Sequence, residues 1–100
     1  MKKNIILVAL FFLSSVLSAQ NKYTISGYIT DKNNGENIVG ANIYSELTGK
    51  GVTSNTYGFY SLTVEEGEQK IVYSFIGYNT ISKSFDLKRN INYDIEFAVS

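Results

Sequence analysis

Apolar and polar residues alternate along most of the chain from Tyr23 onward, with the period of two that marks strands having one buried face. Over Tyr23–Thr30, Tyr23, Ile25 and Ile29 fall on one face with Gly27 between them, while Thr24, Ser26, Tyr28 and Thr30 fall on the other. Asp31 to Asn37 is polar throughout and holds Asn34-Gly35, a tight-turn dipeptide, so it reads as a solvated connecting loop. Gly40 leads into a second strand over Ala41–Tyr44; Ser45–Gly51 is a turn and Val52–Ser54 a short third strand. Asn55–Gly58 then turns the chain into Phe59–Val64. There Tyr60, Leu62 and Val64 are expected to point inward, with Gly58 permitting the turn.

Gln69–Ile76 carries apolar residues at Ile71, Val72, Tyr73, Phe75 and Ile76, on both faces of any strand, and predicts a central strand covered on both sides. Gly77-Tyr78 breaks that run, and Thr80–Leu87 resumes with Ile81, Phe85 and Leu87. The cleanest alternation is the last: Ile91, Tyr93, Ile95 and Phe97 against Asn92, Asp94 and Glu96, which predicts one strand with a wet face. No stretch after the first 19 residues keeps a helical period. About seven short strands separated by turns predict an all-β fold, an antiparallel β-sandwich.

The N-terminus follows a different rule. Lys2 and Lys3 precede an unbroken apolar run from Ile5 to Leu13, and small residues follow as far as Ala19. Basic, apolar and small-residue regions in that order predict a cleavable signal peptide over residues 1–19, with Ala19 before the cut and the mature domain at 20–100. The apolar run is too short for the ~20 residues that span a bilayer, so no membrane span is expected after cleavage. With no Cys in the chain, attachment as a lipoprotein is excluded.

Composition narrows the chemistry. The chain has neither Cys nor His, which removes thiolate metal sites, disulfides, and the commonest general base and metal ligand together. The nine basic and nine acidic residues balance; with Lys2 and Lys3 in the leader, the mature part is slightly acidic, a poor match for nucleic acid. Asp31–Asn37 offers oxygen donors without the spacing of a calcium loop. Thr48-Gly49-Lys50-Gly51 lacks the phosphate-loop run, and Glu65, Glu66 and Glu68 form a charged turn in solvent. No catalytic, cofactor-binding or metal-binding residue is assigned, and no cofactor is implied.

Several segments in order resemble one family: Ile25-Ser26-Gly27-Tyr28-Ile29-Thr30-Asp31, Gly35-Glu36, Val39-Gly40-Ala41-Asn42-Ile43, Tyr57-Gly58-Phe59-Tyr60-Ser61-Leu62 and Ser74-Phe75-Ile76-Gly77-Tyr78. Together they resemble the carboxypeptidase-regulatory-like domain. Two positions depart from it: Val39 stands where the family usually has Pro, and Asn55 where it usually has Asp. The resemblance implies a transthyretin-like sandwich of about seven strands. It also implies a place between signal peptide and plug in TonB-dependent outer-membrane receptors of Bacteroidota-type bacteria.

The expectation is therefore a non-enzymatic accessory domain of the periplasm and outer membrane, with protein partners such as a receptor plug or barrel. A freestanding glycan- or protein-binding module is the alternative, with Tyr28, Tyr44, Tyr57 or Tyr78 as stacking platforms for sugar rings. The transthyretin-like fold includes a purine-pathway hydrolase, but that activity depends on histidines, and this chain has none.

Overall fold

The computed structural model describes residues 21–100; the signal-peptide reading of 1–19 lies outside the described residues. Eight strands are present: β1 (Lys22–Asp31), β2 (Asn42–Ser45), β3 (Gly51–Thr53), β4 (Phe59–Glu65), β5 (Gly67–Ser74), β6 (Ile81–Leu87), β7 (Ile91–Asn92) and β8 (Ile95–Phe97). They form two four-stranded sheets. In one, β1 is flanked by β4 on one side and by β7 and then β8 on the other; the second runs β3-β2-β5-β6.

Burial follows the period of two. Ile25, Gly27 and Ile29 of β1 face the same side as Val64, Leu62 and Tyr60 of β4, since Tyr23 pairs with Val64, Ile25 with Leu62 and Gly27 with Tyr60. Ile25, Ile29 and Leu62 are wholly buried, and Tyr60 and Val64 nearly so. From the opposite sheet come Ile43, Ile71, Tyr73 and Leu87, and the layer closes with Ile95 and Phe97. The outer face of β1 and β4 carries the Tyr28–Phe59 pair at one end and is polar over the rest, where Thr24 bonds Thr63 at 2.8 Å and Ser26 donates to Asn92 at 2.9 Å.

Two predicted elements differ. The stretch Ile91–Phe97 is divided into β7 and β8, and both pair parallel with β1, whereas the alternation predicts one strand in an antiparallel sandwich. The cause lies at Gly27. A β-carbon there would overlap the Tyr93 carbonyl, so the chain crosses directly over the glycine. Tyr93 donates its amide to the Ser26 carbonyl and Asp94 accepts the Tyr28 amide at 2.8 Å, replacing ladder bonds with a side-chain bridge. The second difference is at β5, which is central in its sheet, between β2 and β6, but ends at Ser74. Its outer face buries Val72 yet exposes Glu68 and Lys70, and Ile76 lies beyond the strand at 90% exposure. The apolar run therefore spans a strand and a turn, not one strand covered on both faces.

The turn before β4 forms as predicted. Asn55 Oδ1 accepts the amides of Tyr57 (2.9 Å) and Phe59 (3.0 Å), the side-chain turn that Asp would make. Gly58 has φ +76°, and a side chain there would also meet the Ile29 carbonyl.

Candidate interaction surface

The polar groups inside the sandwich are committed to structure. Ser45 Oγ donates to Gln69 Oε1 at 2.8 Å, and Gln69 returns a bond to the Glu65 carbonyl. Ser54 Oγ donates to the Ile38 carbonyl and accepts the Ala41 amide, holding the segment before β2 against the turn after β3. Neither hydroxyl has a base beside it. Among the described residues no buried side-chain polar atom lacks a partner.

The largest polar feature of the core is a tyrosine pair bridging the two sheets. Tyr60 of β4 and Tyr73 of β5 meet edge to face, with their hydroxyls 3.0 Å apart. Tyr60 donates its one proton to the Tyr93 carbonyl, so Tyr73 is the donor between the two hydroxyls. Burial pushes the Tyr60 hydroxyl up to about 12, although the bond from Tyr73 opposes the shift. Burial raises Tyr73 further, and its bond to Tyr60 adds to the rise. Such phenols are locked donors and acceptors, unsuited to proton transfer near neutral pH.

Asp31, at the end of β1, is the second polar node. Its Oδ1 accepts the amides of Asn33 (2.7 Å) and Asn34 (3.2 Å), and its Oδ2 accepts the Tyr78 hydroxyl at 2.7 Å. The Tyr78 hydroxyl, then the Asn33 amide, hold the carboxyl below its ordinary range; the same bond raises Tyr78. The loop after β1 is folded on itself, because Asn34 Oδ1 is spent on the Glu36 amide. Among the described residues no group of three or more acids is placed to hold a metal ion.

The four tyrosines considered as sugar platforms are not brought together. Tyr28 stands on the outer face of β1, edge-on to Phe59 at 5.3 Å; Tyr44 lies on the outer face of the other sheet; Tyr57 projects from the turn before β4. Tyr78 is partly buried against Phe75 and Phe97, with its hydroxyl on Asp31.

Besides Leu47 on the turn after β2 and Tyr28 and Tyr44 on the outer sheet faces, two surfaces of the described residues gather exposed or half-buried apolar side chains. At one end of the sandwich the loops after β1, β3 and β5 meet the segment after β8: Gly40 bonds Ser54, Asn79 bonds Ala98 and Ser100 bonds Gly77. Val39, Tyr57, Ile76 and Val99 are exposed there. The other surface is the side between β6 and β7, where Phe85 meets Tyr93 edge to face at 5.3 Å and Lys83 lies over the Tyr93 ring. A cleft of about 260 Å³ there is lined by Phe85, Leu87 and Ile91 together with Asp86, Lys88 and Arg89. Sequence reading missed this side, although Ile81, Lys83, Phe85 and Leu87 share the inward register and mark it. Among the described residues no helix is long and apolar enough to cross a membrane.

Comparisons with known proteins place this architecture. A backbone pilin of group B streptococcus pilus 2b superposes with a TM-score of 0.59 at 15% identity, over 78% of this chain and 41% of that one. A catechol 1,2-dioxygenase variant from Acinetobacter radioresistens gives 0.62 at 10% identity, over 84% and 54%. A protein of unknown function from Bacteroides fragilis, assumed to be membrane-associated, gives 0.60 at 21% identity, over 81% and 29%. These likenesses show the fold alone, and the chain spans between about a third and a half of those structures. No curated protein matches the sequence. Residues 25–100 match the CarboxypepD_reg-like domain, nearly the whole of the described sandwich, and the chain belongs to that family.

Proposed function

We propose that the protein is a non-catalytic interaction domain of the Gram-negative cell envelope, exported to the periplasm and serving as the N-terminal extension of a TonB-dependent outer-membrane receptor. The observation that carries this reading is the family match over residues 25–100, preceded by a segment with the order of a signal peptide. The interior supports the non-catalytic part. Buried hydroxyls, amide and phenols are all engaged in holding strands, and none is paired as nucleophile and base. The apolar side chains exposed at the loop end and those half-buried along the β6 side offer contacts to a protein partner.

Fractionation of cells expressing the native gene tests the assignment. The protein is expected with the outer membrane, beginning at Gln20 by N-terminal sequencing. A product found in the cytoplasm with residues 1–19 retained would refute it.

A further inference from the structure

We propose that β6 is a strand-acceptor edge that takes an extended segment of a partner protein carrying a carboxylate opposite Lys83. This rests on the reading of the domain as a protein-interaction module and adds the contact by which it binds. Two seven-residue strands, β4 and β6, lie at sheet edges, and they differ in what lies behind them. The inward residues of β4, Tyr60, Leu62 and Val64, are already closed off from solvent. Those of β6 are not: Ile81 and Phe85 are only half-buried, as are Ile91 and Tyr93 across the gap between the sheets. A strand added to β6 would cover that seam while satisfying the backbone groups that β5 leaves unpaired.

Lys83 decides which strand fits. It pairs with Ile71 of β5, so it lies in the inward register between Ile81 and Phe85. Its ammonium sits over the Tyr93 ring at 5.9 Å and makes no ion pair; the two ion pairs among the described residues are Lys70–Glu46 and Lys88–Asp86. An incoming strand covers this ammonium, and covering an unpaired charge is unfavourable. A purely apolar strand is therefore rejected, and an acid at that position is selected.

The same rule disfavours a second copy of β6. A two-fold antiparallel pairing keeps like faces together, so Lys83 would oppose Ile81, Lys83, Phe85 or Leu87 of the copy, and the inward face of β6 carries no acid. The occupant is a different chain, extended, with an apolar-acidic-apolar alternation on its inward face.

The probe is the capped peptide Thr-Ile-Thr-Glu-Thr-Val-Thr, titrated into ¹⁵N-labelled protein to millimolar concentration and followed by amide chemical shifts. Shifts are expected along Ile81–Leu87 and at Tyr93, and the version with Lys in place of Glu should bind about ten-fold more weakly. In Lys83→Glu the order of the two peptides should invert, and in Lys83→Gln, should the first variant fold poorly, the preference should vanish. Shifts confined to other strands, no shift at millimolar peptide, or a preference indifferent to residue 83 would overturn the proposal. Should that happen while the protein still fractionates with the outer membrane from Gln20, the edge assignment falls and the envelope assignment stands.

Discussion

Replacing Leu62 with Ala tests the register on which the sandwich is built. Leu62 is wholly buried on the inward face of β4, opposite Ile25, while its neighbour Ser61 faces solvent opposite Ser26. The substitution removes three carbons, worth about 2.4 kcal/mol at roughly 0.8 kcal/mol each. The side chains around it come from both sheets and cannot all collapse into the space, so a cavity term adds to the loss. The expected total is about 3 to 4 kcal/mol, within the range found for buried Leu→Ala changes. For a domain of about 80 residues, total stability is on the order of 4 to 12 kcal/mol, so the variant would retain only part of it. Equilibrium urea unfolding followed by circular dichroism measures the loss, and Ser61→Ala should change stability by less than about 0.5 kcal/mol. A Leu62→Ala loss below about 0.5 kcal/mol, or equal losses at the two neighbours, would refute the inward assignment of Tyr60, Leu62 and Val64.

Other outcomes follow from the polar nodes and the close crossing. Gly27→Ala should cost about 1 to 3 kcal/mol because the new carbon meets backbone, the Tyr93 carbonyl, which cannot rotate aside; hydrogen exchange should quicken selectively over Ile91–Phe97. Asp31 has a depressed folded-state pKa, so its contribution is complete above its unfolded pKa of about 3.9 and disappears as pH falls through the lower folded value. Tyr78→Phe should move that loss to higher pH, read from the Asp31 carboxyl carbon by NMR; an unchanged titration would deny the bond its role. Spectrophotometric titration at alkaline pH should find Tyr60 still protonated until about 12 and Tyr73 beyond it. Stability from Tyr60 is therefore full below its unfolded pKa of about 10 and falls as pH rises toward 12. Ionisation of all eight tyrosines in one step near their ordinary value would contradict the buried pair.

Much of the fold was legible in the chain because each sheet has one wet face. β1 and β4 read correctly residue by residue, and the Asn55–Gly58 turn could be foreseen from its side-chain and backbone chemistry. What failed were features decided between distant segments. The perfect alternation of Ile91–Phe97 gave no sign that the Tyr93 carbonyl would cross Gly27 and split the strand, because periodicity records which face is buried and not which strand lies alongside. Tyr78 looked like an exposed ring until the fold set it against Asp31, 47 residues away in sequence. The pairing of Tyr60 with Tyr73 needed both sheets in place. Lys83 was the one overlooked residue with a visible signal, a charge set between Ile81 and Phe85 in an inward register.

The family shows what kind of domain this is, and its role in a larger receptor is the claim most open to direct test. Sequencing the gene beyond the codon for Ser100 is that test. A reading frame that continues through a TonB-interacting segment into a plug and barrel is expected; a stop codon with no such frame nearby would refute the receptor assignment.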